Sequence, residues 1–138
     1  AEGSKLADKA FALSAYQTLS FVHQTFGEKM SPQNIVVEWA PFEIVAGADE
    51  EKLLQASAAL QEDFLAKQKG FIRRELLKGK DKWVDLVYWA CREDAERAVQ
   101  NAASSPACHA YFQYMVAADH HDPGAGVLHF NVQESYSA

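Results

Sequence analysis

Four polar residues of this sequence could together form a reactive site: Glu38, Asp85 and His129, which can transfer protons, and Arg73, which can bind a substrate. Each lies in a segment rich in β-branched and aromatic residues, a composition that predicts a strand. If the four strands are neighbours in one sheet, these side chains form a polar row across it. A histidine near a carboxylate acts as a base near neutral pH. We therefore name His129, Glu38 and Asp85 as candidate catalytic residues.

Aromatic side chains near this row predict a pocket for a flat organic molecule. Trp89 shares a strand face with Asp85, because successive side chains of a strand alternate between faces. Aromatic walls with a few polar groups are typical of small-molecule pockets. Trp89, Arg73 and His109 are therefore candidate substrate-binding residues. The alternative stays open that the charged groups are ion pairs at a subunit interface or satisfied polar groups of the core.

Six elements are predicted to position these residues, in the order strand, helix, strand, strand, helix, strand. Apolar residues recur at helical spacing in the two helices, and β-branched and aromatic residues dominate the strands. The segment Lys78-Gly79-Lys80-Asp81 predicts a hairpin turn between the second and third strands. The predicted elements are strands at 34–45, 71–78, 82–90 and 126–134, a helix from Asp49 to Gly70, and a helix that begins at Cys91 and is interrupted at Pro106.

This order is typical of the split βαβ, or ferredoxin-like, α+β fold. Right-handed connections place both helices on one face of an antiparallel sheet. The third strand nevertheless has large apolar side chains on both faces, with Trp83 and Val87 on one and Leu86 and Tyr88 on the other. A sheet with one solvated face has mainly polar residues on that face. We therefore expect helices to cover one face and a second subunit to cover the other, in a homodimer.

A further helix is predicted at 5–26, outside the six-element pattern, because apolar residues recur there at helical spacing. Gly27 ends it. We therefore divide the chain into an N-terminal helical extension, 1–30, and a ferredoxin-like domain, 31–138. The apolar stripe of the extension must pack against the domain or against a partner chain.

Three segments resemble the dimeric α/β-barrel group that includes the antibiotic biosynthesis monooxygenase-like proteins: IVVEWAPFEIVAGADEEKLLQ, FLAKQKGFIRRELL and WVDLVYWACREDAERA. The resemblance spans residues 34–136 and implies a homodimer whose two sheets close a barrel. It also implies, for some members, cofactor-free oxidation of aromatic polyketides. Haem-degrading members use an Asn on the first strand, a Trp ending the third and a His on the second helix. Trp89 matches that Trp and His109 lies near that His, but the body of the first strand has no Asn, so haem chemistry is not carried over.

Composition and motifs disfavour several function classes. The net charge of −6 disfavours a nucleic-acid partner, and no apolar run is long enough to span a membrane. No glycine-rich dinucleotide motif follows a strand, so no cofactor is predicted. His120-His121 has no further ligand at helical spacing, so no metal site is predicted. Cys91, at a predicted helix N-terminus, is either a reactive thiolate or a simple cap.

Three functions remain open. The first is a small monooxygenase-like enzyme acting on an aromatic or apolar molecule, with electrons from the substrate itself or from a transiently bound cofactor. The second is a non-catalytic ligand-binding or stress-associated dimer. The third, least favoured, is an RNA-binding module in which Trp39 and Trp89 stack bases beside the basic segment 67–82. Cytoplasm is the favoured compartment, and a mature exported protein that starts at Ala1 is also compatible with the sequence.

Overall fold

The computed structural model describes residues 34–138, so the predicted helix at 5–26 lies outside the described residues. The elements are strand β1 Val36–Phe42, helix α1 Glu50–Asp63, a 3₁₀ turn Leu65–Lys67, strands β2 Phe71–Lys78 and β3 Trp83–Trp89, helices α2 Arg92–Ala102 and α3 Pro106–Phe112, and strand β4 Leu128–Asn131.

The four strands form one antiparallel sheet in the order β2-β3-β1-β4. β1 and β3 pair along their whole length, from Val36 opposite Trp89 to Phe42 opposite Trp83. β4 pairs with β1 only as far as Trp39. The order of elements and the sheet order are those of the ferredoxin-like α+β fold, as predicted.

Local sequence signals account for the starts of the helices. Asp49 caps α1, since its carboxylate accepts hydrogen bonds from the backbone N–H groups of Glu51 and Lys52, at 2.9 and 3.4 Å. The predicted second helix is divided into α2 and α3. Pro106 opens α3 in its first turn, where a missing N–H costs nothing, and Ser105 caps it.

Several elements are shorter than predicted, among them β1, which spans Val36–Phe42 instead of 34–45. α1 ends at Asp63, and Gly70, predicted to end the helix, instead turns the chain into β2 with a φ of +82°. β4 spans only Leu128–Asn131. Because β4 stops short, Pro41 in β1 has no strand neighbour on that side, which is where a residue without an N–H is tolerated in a sheet.

The helices bury one face of the sheet. On that face β1 and β3 contribute Phe42, Trp83, Val87 and Trp89, which form one apolar core with residues of all three helices. The helix residues in this core are Leu53, Leu60, Ala95, Ala98, Ala102, Cys108 and Tyr111. Among the described residues, no helix is long and apolar enough to cross a membrane.

The opposite side of the sheet is called the open face here. It comprises Val37, Trp39, Pro41, Arg73, Glu75, Leu77, Val84, Leu86, Tyr88, Leu128 and Phe130. Trp39 and Leu77 are each 38% exposed and Phe130 is 53% exposed. No helix within 34–138 covers this face, so its apolar side chains contact solvent unless something outside the described residues packs on them.

Candidate active site between the sheet and the helices

A bulge near the start of β2 decides which arginine faces the helices. Phe71 pairs with Trp89, but Arg73 pairs with Tyr88. β2 therefore has one extra residue, Ile72, between two consecutive residues of β3. An extra residue reverses the faces of all residues that follow it in the strand. Arg74 therefore lies on the helix-covered face and Arg73 on the open face, the reverse of what unbroken alternation predicts.

The polar row predicted from the sequence lies on the helix-covered face, with Arg74 in the place predicted for Arg73. Val87 on β3 pairs with Arg74 on one side and with Glu38 on the other. Glu38 in turn pairs with His129 on β4. Since neighbouring strands lie about 4.8 Å apart, the Arg74 and Glu38 backbones are separated by about 10 Å, with Val87 as an apolar floor between them.

His129 and Glu38 form a buried pair in this row. His129 Nε2 lies 3.5 Å from Glu38 Oε1, and the two side chains are 2% and 13% exposed. Neither atom has a hydrogen-bond partner. A carboxylate next to an imidazole is a pairing of residue types that general bases use.

Asp85 holds Arg74 and Tyr111 in a second buried cluster. Arg74 Nε donates to Asp85 Oδ1 at 2.8 Å, and Tyr111 Oη donates to Asp85 Oδ2 at 2.7 Å. Burial, together with the neighbouring Asp85 carboxylate, raises the pKa of Tyr111 far above its ordinary value, so the phenol stays a donor. Both oxygens of Asp85 are engaged, and in this geometry the carboxylate positions its neighbours.

A cavity of about 70 Å³, called the inner cavity here, lies between the sheet and the helices. Its polar lining comes from Glu38, Arg74, Asp85 and Tyr111. Trp89 also lines it, is 1% exposed, and has an indole Nε1–H without a hydrogen-bond partner. Because pockets for drug-sized ligands measure roughly 300–1,000 Å³, this space suits dioxygen or one end of a larger molecule.

A larger space, called the outer cleft here, lies beside the inner cavity. It measures about 290 Å³ and lies where the chain after α3 passes the end of β1, with Phe42 and Met115 in its wall and Glu43 and Lys82 also lining it. Phe112 lines both spaces, so the two are neighbours. The outer cleft alone is close to the lower limit of the volumes found for small-molecule sites.

Two predicted binding residues lie away from the inner cavity. Arg73, on the open face, pairs with Glu75 at 3.3 Å and stacks its guanidinium over the Tyr88 ring at 4.3 Å. His109, on α3, is half-buried, and its Nε2 lies 2.7 Å from the carbonyl oxygen of Ala103. Of the predicted site residues, the structure brings four together on the helix-covered face: Glu38, Asp85, Trp89 and His129.

Sequence reasoning missed Arg74 and Tyr111. Tyr111 lies within the second predicted helix, and a buried tyrosine normally needs a hydrogen-bond partner for its hydroxyl, which is the signal in the sequence that points to it. No signal in the sequence indicates the bulge of β2. With side chains alternating between faces along the whole strand, the sequence predicts Arg73, and not Arg74, on the face of Phe71.

The interpretation of Cys91 as a reactive thiolate is wrong. Cys91 does occupy the N-cap of α2, but burial raises the pKa of its thiol. Cys91 is at the N-cap position, as the capping interpretation predicts, but its side chain makes no capping hydrogen bond.

The two tryptophans considered for base stacking lie on opposite sides of the sheet. Trp39 is on the open face, whereas Trp89 is buried under the helices, so they do not form one platform for RNA. Within residues 34–138 no group of three or more His, Cys, Asp or Glu side chains is arranged to hold a metal ion.

Solved structures share this architecture. SnoaB, a cofactor-independent oxygenase from Streptomyces nogalater, matches 74% of this chain and 96% of its own, with 16% identity and a TM-score of 0.55. A conserved protein from Methanosarcina mazei matches 74% and 96%, with 10% identity and a TM-score of 0.54.

The haem-degrading protein MhuD of Mycobacterium tuberculosis is also similar. A MhuD variant with two manganese protoporphyrin IX molecules bound per active site matches 75% of this chain and 99% of its own, with 25% identity and a TM-score of 0.51. No protein-family model and no curated protein sequence matches this chain. The chain has the ferredoxin-like fold that these solved structures share.

Proposed function

We propose that this protein is a small monooxygenase-like enzyme that oxidises a flat aromatic or apolar molecule between the sheet and the helices. One observation carries the proposal. Three buried polar atoms that make no hydrogen bond gather at the inner cavity or directly beside it: Glu38 Oε1 and His129 Nε2, which lie 3.5 Å apart, and Trp89 Nε1. More than about 90% of buried polar groups in proteins are hydrogen-bonded, so such a gathering is expected where a ligand supplies the missing partners.

The Glu38–His129 pair supplies the base in this mechanism. It removes a proton from an activated methylene group of the substrate, and the resulting carbanion gives its electrons to dioxygen. The overall change R₂CH₂ + O₂ → R₂C=O + H₂O balances in atoms and electrons with the substrate as the reductant. The inner cavity, too small for the whole substrate, would hold dioxygen and the reacting carbon, while the outer cleft would hold the remainder.

The similarity to SnoaB supports the proposal only as a precedent that this fold can hold such chemistry. Haem degradation is not favoured by the residues present. No histidine lines the inner cavity within the described residues, and the positions of β1 that face the helices are Val36, Glu38, Ala40 and Phe42, without the Asn used by the haem-degrading members.

We also propose that a second copy of this chain covers the open face. A monomer would leave Trp39, Leu77 and Phe130 partly in water on one continuous surface, and apolar patches of this kind mark interaction sites. A homodimer joined through its sheets would bury them, as the resemblance implies.

Oxygen uptake tests the enzymatic proposal. 2-Tetralone, a bicyclic ketone with an activated benzylic methylene, would be incubated with the protein in an oxygen-electrode cell. General acid–base residues contribute about 10²–10⁴-fold to rates. We expect His129→Ala and Glu38→Gln to lower the uptake rate about 100-fold or more, while the matched surface changes His121→Ala and Glu62→Gln leave it unchanged. Equal rates in all five proteins, or no uptake above the blank, would contradict the proposal.

A further inference from the structure

We propose that the side chain of Phe112 determines the size of the ligand that this protein accepts, because it lies at the passage between the outer cleft and the inner cavity. The role rests on the proposed function, in which one substrate extends through both spaces. It makes Phe112, which does not belong to the polar row, a residue that determines specificity.

Phe112 lines both spaces, and no other residue within 34–138 does. The inner cavity holds the Glu38 carboxylate and the Trp89 indole, whereas Phe42 and Met115 belong to the wall of the outer cleft. A ligand with one end in each space must therefore pass the side chain of Phe112. Its ring is the contact that every such ligand shares.

The rest of the boundary between the two spaces is held by the fold. Ala40 lines the inner cavity and its neighbour Pro41 the outer cleft, and the same is true of Val127 and Gly126. Ala40 and Pro41 lie in β1 and pair with β3. Ala40 and Val127 are 2% and 3% exposed and pack together. These residues are small or belong to the sheet, so they do not set the width of the passage.

Phe112 combines a large side chain with a position at the end of an element. It is the last residue of α3 and is half-buried. Its ring packs against the Tyr111 ring, with centroids 5.9 Å apart and planes inclined at 46°. Tyr111 is fixed in turn by its hydrogen bond to Asp85. The Phe112 ring therefore has a fixed support on one side, and its size determines how much room a ligand has beside it.

The volumes of the two spaces indicate which part of a ligand meets Phe112. The inner cavity measures about 70 Å³, less than half of the about 150 Å³ of an apolar cavity that holds benzene. Only the reacting edge of a ring system fits there. The rings themselves must lie beside Phe112 and in the outer cleft, which measures about 290 Å³. The side chain at position 112 therefore limits the number of fused rings that can lie close to Glu38.

Calorimetric binding of two ketones tests this role. The probes are 2-tetralone, with two rings, and 1,2,3,4-tetrahydrophenanthren-2-one, with three rings and the same activated methylene. In an apolar pocket, a difference of one methylene changes selectivity about 10–200-fold. We expect Phe112→Ala to shift the ratio of the two dissociation constants at least about tenfold toward the three-ring ketone, relative to the wild-type protein. Phe112→Trp should shift the ratio in the opposite direction.

A matched control separates the passage from a general effect of losing a phenyl ring. Phe130→Ala removes the same ring from the open face, where Phe130 is 53% exposed, and should leave the ratio unchanged. Circular dichroism checks that each variant is folded. Phe112→Trp remains a test if Phe112→Ala does not fold. Opposite shifts in the two variants are a result that a purely structural role of Phe112 would not produce.

An unchanged ratio in both Phe112 variants, an equal shift in Phe130→Ala, or no binding of either ketone to any of the four proteins would overturn the role of Phe112. Binding of the three-ring ketone to Phe112→Ala alone would support it. Dissociation constants do not depend on turnover. A shifted ratio without oxygen uptake would support Phe112 and contradict the oxygenase proposal, whereas oxygen uptake with an unchanged ratio would do the reverse.

Discussion

Tyr111 Oη donates a 2.7 Å hydrogen bond to Asp85 Oδ2, joining helix α3 to the central strand β3 inside the core. Tyr111 is fully buried and Asp85 is 6% exposed, so water cannot replace either partner. Tyr111→Phe keeps the ring and leaves Asp85 Oδ2 unsatisfied, which should lower the free energy of unfolding by about 1–3 kcal/mol. Urea denaturation would measure this loss. Tyr136→Phe, at a position 89% exposed, is the control and should have no effect.

Alkaline pH should weaken the contribution of the same residue. The pKa of Tyr111 is raised in the folded protein above its ordinary value near 10, so the folded state keeps the phenol proton that the unfolded chain loses. The stabilisation is therefore fully present below about pH 10 and decreases above it, by up to about 1.4 kcal/mol per pH unit. The free-energy difference between wild type and Tyr111→Phe should shrink between about pH 10 and pH 11. A difference that stays constant across this range would contradict the proposed protonation state.

Arg73 and Arg74 are adjacent in sequence and should differ widely in their effect on stability. Arg74→Met leaves the Asp85 carboxylate buried without its cation, which should cost about 3–5 kcal/mol. Arg73→Met removes an exposed ion pair with Glu75 and should leave the free energy of unfolding nearly unchanged. Adding Asp85→Asn to Arg74→Met should recover part of the loss. Similar costs for the two single changes would contradict the bulge in β2 that separates the environments of the two arginines.

The order of the elements could be predicted because it depends on local sequence patterns, namely helix caps, turn residues and the spacing of apolar residues. Asp49 is the N-cap of α1, because its carboxylate accepts hydrogen bonds from backbone N–H groups. Pro106 lies in the first turn of α3, where a residue without an N–H is tolerated. The glycine turn closes the β2–β3 hairpin, with Gly79 N–H bonded to Lys82 O at 2.7 Å. These signals act over a few residues and do not depend on the rest of the fold.

The site could be predicted only in part, because it depends on register between strands. The pairing of Glu38 with His129 followed from the sheet order of the fold, and the structure has it. Whether Arg73 or Arg74 faces the helices depends on one extra residue in β2. That residue follows Phe71, whose ring packs edge-on against Trp89, a contact between residues far apart in the sequence. The alternation of side chains along a strand does not indicate at which residue a bulge interrupts that alternation.

The open face makes the assembly of the protein testable. If two copies pack through this face, sedimentation equilibrium of the wild-type protein at micromolar concentration should give twice the 15.3 kDa chain mass. Phe130→Glu places a charge on the open face, at its β4 edge, and should shift the mass to that of one chain, since burying an unpaired carboxylate is costly. Leu54→Glu is the matched control, because Leu54 is 49% exposed on α1, away from the open face, and should leave the mass unchanged.

A wild-type mass of one chain would contradict the dimer. The apolar side chains of Trp39, Leu77 and Phe130 would then need a cover from within the same chain, and the predicted helix at 5–26 is the segment whose apolar stripe could provide it. A dimer that Phe130→Glu leaves intact would instead place the contact on another surface. The inner cavity lies on the other side of the sheet, so a loss of the dimer with unchanged 2-tetralone binding would establish that each subunit holds a complete site.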